Sequence, residues 1–163
     1  TLVNVTDGIL NRNNGNGVVT GNPTGTCIID ACSVTNNGGT GIDFDGEENV
    51  VSDCIIEGNA SHGVSAGDRG VLNGNHIGCN GGDGIVLAGD VNCVISNNVV
   101  EENEGSGIVS ASNSGEHAIS GNQVKSNAGD GISIAGNLSA LTGNVVLDNG
   151  VNGIEIVSGA EAI

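Results

Sequence analysis

Seven asparagines recur in one register along the chain: Asn13, Asn37, Asn59, Asn80, Asn103, Asn127 and Asn149. Four residues after each stands a glycine, and each glycine precedes Val18, Ile42, Val64, Ile85, Ile108, Ile132 or Ile154. Successive glycines are 24, 22, 21, 23, 24 and 22 residues apart. A fixed period of this length means that one supersecondary unit stacks on its own copy, as in a solenoid.

Three further columns show what each unit contains. Seven residues before the glycines stand Leu10, Val34, Ile56, Ile77, Val100, Val124 and Val146. Twelve before stand Val5, Ile29, Val51, Leu72, Ile95, Ile119 and Leu141. Three after stand Thr20, Phe44, Ala66, Leu87, Ser110, Ile134 and Ile156. Short β-branched patches punctuated by Gly, Asn, Asp and Ser read as strands and turns. No apolar stripe persists at helical spacing, and Gly is too frequent for helix. Three short strands per coil of about 22 residues predict an all-β, right-handed parallel β-helix of about seven coils, roughly 34 Å long at one strand spacing per coil.

Stacked coils bring identical turn residues one above another. An Asn amide then donates to one neighbour and accepts from the other, so an inward ladder satisfies its own polar groups. Asn also tolerates the left-handed conformation that sharp turns demand. Nine residues before the glycines lies a second column: Gly8, Cys32, Cys54, Asn75, Asn98, Asn122 and Asn144.

The segment Ile119-Ser120-Gly121-Asn122-Gln123-Val124-Lys125-Ser126-Asn127-Ala128-Gly129-Asp130-Gly131-Ile132 typifies the repeat. In it, and over nearly its whole length, the chain resembles the right-handed parallel β-helix repeat superfamily. That group includes pectate-lyase-like enzymes, alginate epimerases, periplasmic copper-maturation β-helix proteins and phage-tail and cell-surface proteins. The resemblance implies the fold and leaves the function open, since many chemistries sit on one scaffold. Similarity to pectate lyases would imply a catalytic Arg beside calcium carboxylates, and Arg69 beside Asp68 and Asp45 is the only such arrangement. Similarity to alginate epimerases would imply Tyr-Gly and Asp-Pro-His signatures, and the chain contains no Tyr.

The 163 residues read as a single domain over 1–163, or as a segment of a longer solenoid. Val5 and Ile156 are already on register near the two ends, without an amphipathic capping helix, so end-to-end self-association is an expectation. The net charge of −16, from 19 acidic and 3 basic residues, argues against nucleic acid as a partner. It would also repel an anionic polysaccharide unless cations bridge the two. No signal peptide, transmembrane run or lipidation motif stands in the sequence, so no membrane is expected as a partner.

Five cysteines are an odd number, so at least one is unpaired unless it pairs between chains. Cys32 and Cys54 fall on adjacent coils at about the strand spacing, slightly too far apart for a relaxed disulfide. Cys27 and Cys93 share a column three coils apart. Cys79 stands alone at an outward position. No Cys-x-x-Cys pair exists, which argues against zinc.

The densest charged stretch runs Asp43-Phe44-Asp45-Gly46-Glu47-Glu48, with Asp68 and Arg69 in the matching turn one coil up. Asp43, Asp45, Glu47 and Asp68 are the candidate metal ligands, and calcium the candidate cofactor, because calcium takes 6–8 oxygens from flexible loops. The competing reading is a solvated acidic turn partly neutralised by Arg69. His62 and Asp83 share a column on adjacent coils and form a candidate acid–base dyad. Glu57 and Glu101 share an outward column two coils apart, about 10 Å, slightly wide for a glycosidase pair; Glu101 with Glu102 is the other carboxylate pair. His76 and His117 read as structural. No catalytic residue is assigned.

The leading expectation is a non-catalytic structural or surface-recognition module of the extracellular space or cell envelope, associated with polysaccharide. The alternative is a fragment of a polysaccharide lyase or glycoside hydrolase with a calcium-dependent site near Asp43 to Arg69. A third, implied by the resemblance alone, is a metal-loading periplasmic β-helix.

Overall fold

A computed structural model describes residues 2–20, 25–88, 92–110, 116–135, 137–157 and 161–162. Each coil gives one strand to each of three parallel sheets. The first sheet stacks Leu2–Thr6, Thr26–Asp30, Val50–Ser52, Val71–Asn73, Val94–Ser96, Ala118–Ser120, Asn137–Thr142 and Glu161–Ala162. The second stacks Ile9–Asn11, Ser33–Thr35, Ile55–Glu57, His76–Gly78, Val99–Glu101, Gln123–Lys125 and Val145–Leu147. The third stacks Val18–Thr20, Ile42–Phe44, Val64–Ala66, Ile85–Leu87, Ile108–Ser110, Ile132–Ile134 and Ile154–Ile156. No helix of the described residues is long and apolar enough to cross a membrane.

The three apolar columns are the ladder registers. Val51 pairs with Leu72, Leu72 with Ile95 and Ile95 with Ile119 in the first sheet. Ile56, Ile77, Val100 and Val124 align in the second. Most strands are three residues long. In the first two sheets the central residue turns inward; in the third the two outer residues do, as with Ile42 and Phe44 around the half-buried Asp43. The core is these columns, buried from Ile29 to Ile134.

The turns place their left-handed residue one position ahead of the ladder. The left-handed residue is not the ladder asparagine but the residue before it: Arg12, Asn36, Gly58, Cys79, Glu102, Ser126 and Asp148 all have φ between 53° and 64°. For a non-glycine residue this conformation costs about 1–2 kcal/mol. It reverses the chain sharply enough to aim the following Asn into the core.

There each ladder oxygen accepts two donors from the coil below. Asn80 Oδ1 takes Asn59 Nδ2 at 3.0 Å and the Asn59 backbone N–H at 3.1 Å. The second amide proton of Asn59 goes to the Val34 carbonyl at 3.1 Å. The same bonds repeat from Asn13 to Asn149, at 2.8–3.0 Å between side chains. The glycines four residues later have a steric cause. A Cβ on Gly41 would lie 2.6 Å from the Gly63 carbonyl oxygen and 2.8 Å from Asn59 Nδ2, so a side chain would push adjacent coils apart.

The second column does the same work with mixed chemistry. Asn75, Asn98, Asn122 and Asn144 bond at 2.9–3.0 Å. Below them the Cys54 N–H donates to Asn75 Oδ1 at 3.0 Å, the Cys32 N–H to Cys54 Sγ at 3.4 Å and the Gly8 N–H to Cys32 Sγ at 3.3 Å. A third column at the entry to the first sheet carries Cys27 to Asn49 (2.8 Å), then Cys93 to His117 Nδ1 (3.3 Å) and His117 to Ser139 Oγ (3.4 Å). None of the five cysteines is in a disulfide, and Cys79 alone is exposed.

Candidate functional site

Three outward groupings could carry chemistry. Around the acidic turn, Asp43 Oδ2 accepts Asn16 Nδ2 at 2.9 Å. Asp45 is exposed at the strand end, where its N–H donates to the Thr20 carbonyl at 3.3 Å. Glu47 and Glu48 both pair with Arg69, Glu48 at 3.2 Å through Nε. The Glu47 charge is the main influence raising the Arg69 pKa. The Asp68 carbonyl accepts the Glu48 N–H at 2.9 Å. Among the described residues no three His, Cys, Asp or Glu side chains gather as a metal would require. Arg69 is the cation that pairs with Glu47 and Glu48 in this turn.

His62 and Asp83 do meet, with Nδ1 3.4 Å from the carboxylate. The same nitrogen, however, accepts the Asp83 backbone N–H at 3.0 Å. Nδ1 therefore holds a lone pair toward the backbone and carries no proton for the carboxylate to orient. The pair belongs to a column of backbone acceptors: Thr40 N–H to Asn16 Oδ1, Ser106 N–H to Asp83 Oδ1, Asp130 N–H to Ser106 Oγ and Asn152 N–H to Asp130 Oδ1, at 2.7–3.0 Å. Its role is to tie coils together.

The outer face of the second sheet holds the most connected charged group. Glu57, Gly78, Glu101 and Lys125 share one outward column at successive coils. His76, on the coil between the two glutamates, reaches both: Nε2 lies 3.0 Å from Glu101 and Nδ1 3.6 Å from Glu57. Lys125 Nζ closes on the other Glu101 oxygen at 2.9 Å. The hydrogen bond from Lys125, with a further one from His76, holds the Glu101 carboxyl below its ordinary pKa. Glu101 in turn raises the Lys125 pKa. Gly78, between the two glutamates, is buried, and a Cβ there would lie 3.0 Å from the Glu101 carbonyl and 3.7 Å from His76 Nε2. Beside it Cys79 Sγ sits 3.7 Å from Glu102, and its pKa is raised, by partial burial first and then by the Glu102 charge.

His76, expected as a structural residue, is thus the bridge of a surface row. Glu57 and Glu101 are not an open acid pair, because an imidazole stands between them. Lys125 was not singled out in the sequence, although the register that aligns Ile77, Val100 and Val124 places residues 78, 101 and 125 on one line. The row alternates acceptors and donors along the solenoid axis, a pattern suited to hydrogen-bonding a chain of hydroxyls, and it offers no nucleophile poised by a base.

The solved structures with this fold that resemble the chain include the periplasmic alginate epimerase AlgG, with a TM-score of 0.71 at 17% identity over 98% of this chain and 45% of that one. The A-module of the Azotobacter vinelandii mannuronan C-5 epimerase AlgE6 follows at 0.60 and 16%, over 98% of this chain and 57% of that one. Pectate lyase Pel9A gives 0.63 and 14%, over 95% and 52%. The chain therefore spans about half the length of these proteins. No curated protein matches the sequence. Residues 2–146 match the family described as "Right handed beta helix region", and the chain belongs to that family.

Proposed function

We propose that this protein is a non-catalytic, carbohydrate-associated β-helix of the extracellular space or cell envelope, which recognises a hydroxyl-rich polysaccharide along the outer face of its second sheet. The observation that carries the reading is the connected surface row Glu57–His76–Glu101–Lys125. Carboxylate oxygens accept from sugar hydroxyls, and the imidazole and ammonium donate to them. The row repeats at the strand spacing, so it offers one polar group per coil to an extended chain. The polysaccharide-acting enzymes among its structural neighbours support a carbohydrate association. The charge of −16 favours a neutral glycan over a polyuronate.

The test is retention on a panel of neutral glycans and polyuronates, with and without calcium. Neutral glycan should be retained, and the His76→Ala/Glu101→Gln variant should lose about tenfold in affinity, one charge-assisted hydrogen bond's worth. Equal retention of the variant would remove the site. Release of oligosaccharide from any member of the panel would instead favour the alternative, a fragment of a carbohydrate-active enzyme with calcium at Asp43, Asp45, Glu47 and Asp68.

A further inference from the structure

We propose that Cys32 and Cys54 form a buried, two-coordinate site for one soft d10 cation, of the Ag(I) or Cu(I) class. The second sheet pairs Ser33 with Ile55, so the residues before them lie one directly above the other. Both are free thiols, 2% and 1% exposed.

Comparison with the asparagine rungs shows which atoms the two cysteines leave out. Higher up, each gap between rungs is filled by an amide nitrogen below and an amide oxygen above, as from Asn75 Nδ2 to Asn98 Oδ1 at 2.9 Å. A cysteine side chain ends where an asparagine has its Cγ, so between Cys32 and Cys54 those two atoms are missing. The strand spacing of about 4.8 Å is far more than a disulfide bond, near 2.05 Å. It is close to two metal–sulfur bonds of about 2.3 Å laid end to end. A linear two-coordinate ion fits that span.

The ligand environment is suited to thiolate. Each sulfur already accepts a backbone N–H, from Gly8 to Cys32 at 3.3 Å and from Cys32 to Cys54 at 3.4 Å. Such bonds favour the charged form of the acceptor. The S–H groups point to carbonyls, Cys32 to Asp30 O at 3.2 Å and Cys54 to Ser52 O at 3.1 Å. Burial first, with smaller contributions from Cys32 and Asp30, pushes the Cys54 thiol up to about 11, so Cys54 is a thiol in the empty site. When the cation enters, two metal–sulfur bonds form, one S–H bond breaks and its proton leaves to solvent. The positive charge of the ion is offset by one thiolate, the second sulfur remains a neutral ligand, and no electron is transferred.

Soft sulfur ligands select this class of metal. A hard or four-coordinate ion is not served, because among the described residues no group of three His, Cys, Asp or Glu is available. Cys27 and Cys93 have Asn49 and Gly70 between them in their column and act only as single ligands. On the coil below, Gly8 brings no side chain to Cys32, and its backbone N–H and the Val5 carbonyl lie 3.3 and 3.5 Å from Sγ.

The experiment uses the full chain with Cys79→Ser, which removes the exposed thiol. Ag(I) is titrated against a competing ligand, with native mass spectrometry for stoichiometry and X-ray absorption at the silver edge for coordination. One Ag(I) per chain, two sulfur neighbours and one proton released are expected. Adding Cys54→Asn, which matches the rungs above it, should weaken binding by about a hundredfold, the loss of a chelate partner, with an unchanged circular dichroism spectrum. A single sulfur neighbour, or undiminished binding by the Cys54→Asn protein, would overturn the site. If that variant fails to fold, the sulfur count in the Cys79→Ser parent decides alone.

Discussion

At the scale of single residues, this molecule is organised by acceptors rather than by residue types. Asn Oδ1, Cys Sγ, His Nδ1 and Ser Oγ all receive a backbone N–H from the neighbouring coil. Asn103 is buried between Asn80 and Asn127 and bonds both. Asn103→Ala leaves the Asn80 amide and the Asn80 N–H without their acceptor and takes one donor from Asn127 Oδ1, at about 1–3 kcal/mol; an unchanged melting temperature would refute the ladder's contribution. His117 supplies a pH test. Burial lowers its pKa below the ordinary 6.5, and its Nε2 has no partner. Above pH 6.5 both folded and unfolded states hold it neutral. Below that value the unfolded chain takes up the proton and the folded one resists, so stability falls with pH. His117→Asn keeps an acceptor for Cys93, as Asn49 does for Cys27, and should flatten the decline in melting temperature between pH 7 and 5. Parallel curves for the two proteins would show that His117 does not cause the decline. The Asn columns were legible in the sequence because one residue type repeats. The same register placed Cys32 and Cys54 in the second column, but the His117 and Ser139 rungs were not legible, because different chemistries perform one task there.

At the scale of the strand, inward and outward neighbours differ sharply in worth. Ile77 is fully buried in the second sheet, between Ile56 and Val100. Ile77→Ala should cost about 2–5 kcal/mol. Lys125, on the outer face and paired with Glu101, belongs to a class worth about 0–1 kcal/mol. Lys125→Met should therefore shift a urea midpoint only slightly, and less still in high salt; a loss comparable to Ile77→Ala would mean that the row is structural rather than a binding face. Thiol labelling checks the same alternation of faces. Cys79 should react first and the four buried thiols only on unfolding; fast labelling of Cys32 or Cys54 would place their column outside. The strands themselves were readable from β-branched columns. The surface row was readable only in part: Glu57 and Glu101 stood out as carboxylates, but His76 joins them diagonally, between columns, where one-dimensional spacing gives no signal.

For the whole molecule, a charge of −16 on 163 residues makes self-repulsion a general term. Millimolar calcium should raise the melting temperature through screening alone. If Asp43, Asp45, Glu47 and Asp68 also bind the ion, the rise should exceed that in sodium chloride of matched ionic strength, and Asp45→Asn/Asp68→Asn should lose the excess. Equal responses of the two proteins would leave Arg69 as the only cation of that turn.

The ladders of the two Asn columns run one way, each rung donating to the next toward the C-terminus. Every interior coil therefore presents the same acceptors below and the same donors above, and coils become interchangeable parts. Excising residues 80–102 joins Cys79 to Asn103 and sets Asn59 beneath Asn103 and Asn75 beneath Asn122, with each rung still meeting a rung. The shortened chain should fold cooperatively at a lower melting temperature, having lost one unit and one interface. Excising the same number of residues from position 86 onward should do likewise, whereas removing half a coil should not fold. Length in such a protein is a copy number, so duplication or loss of one coil can lengthen or shorten the surface offered to a partner without redesigning any contact inside it.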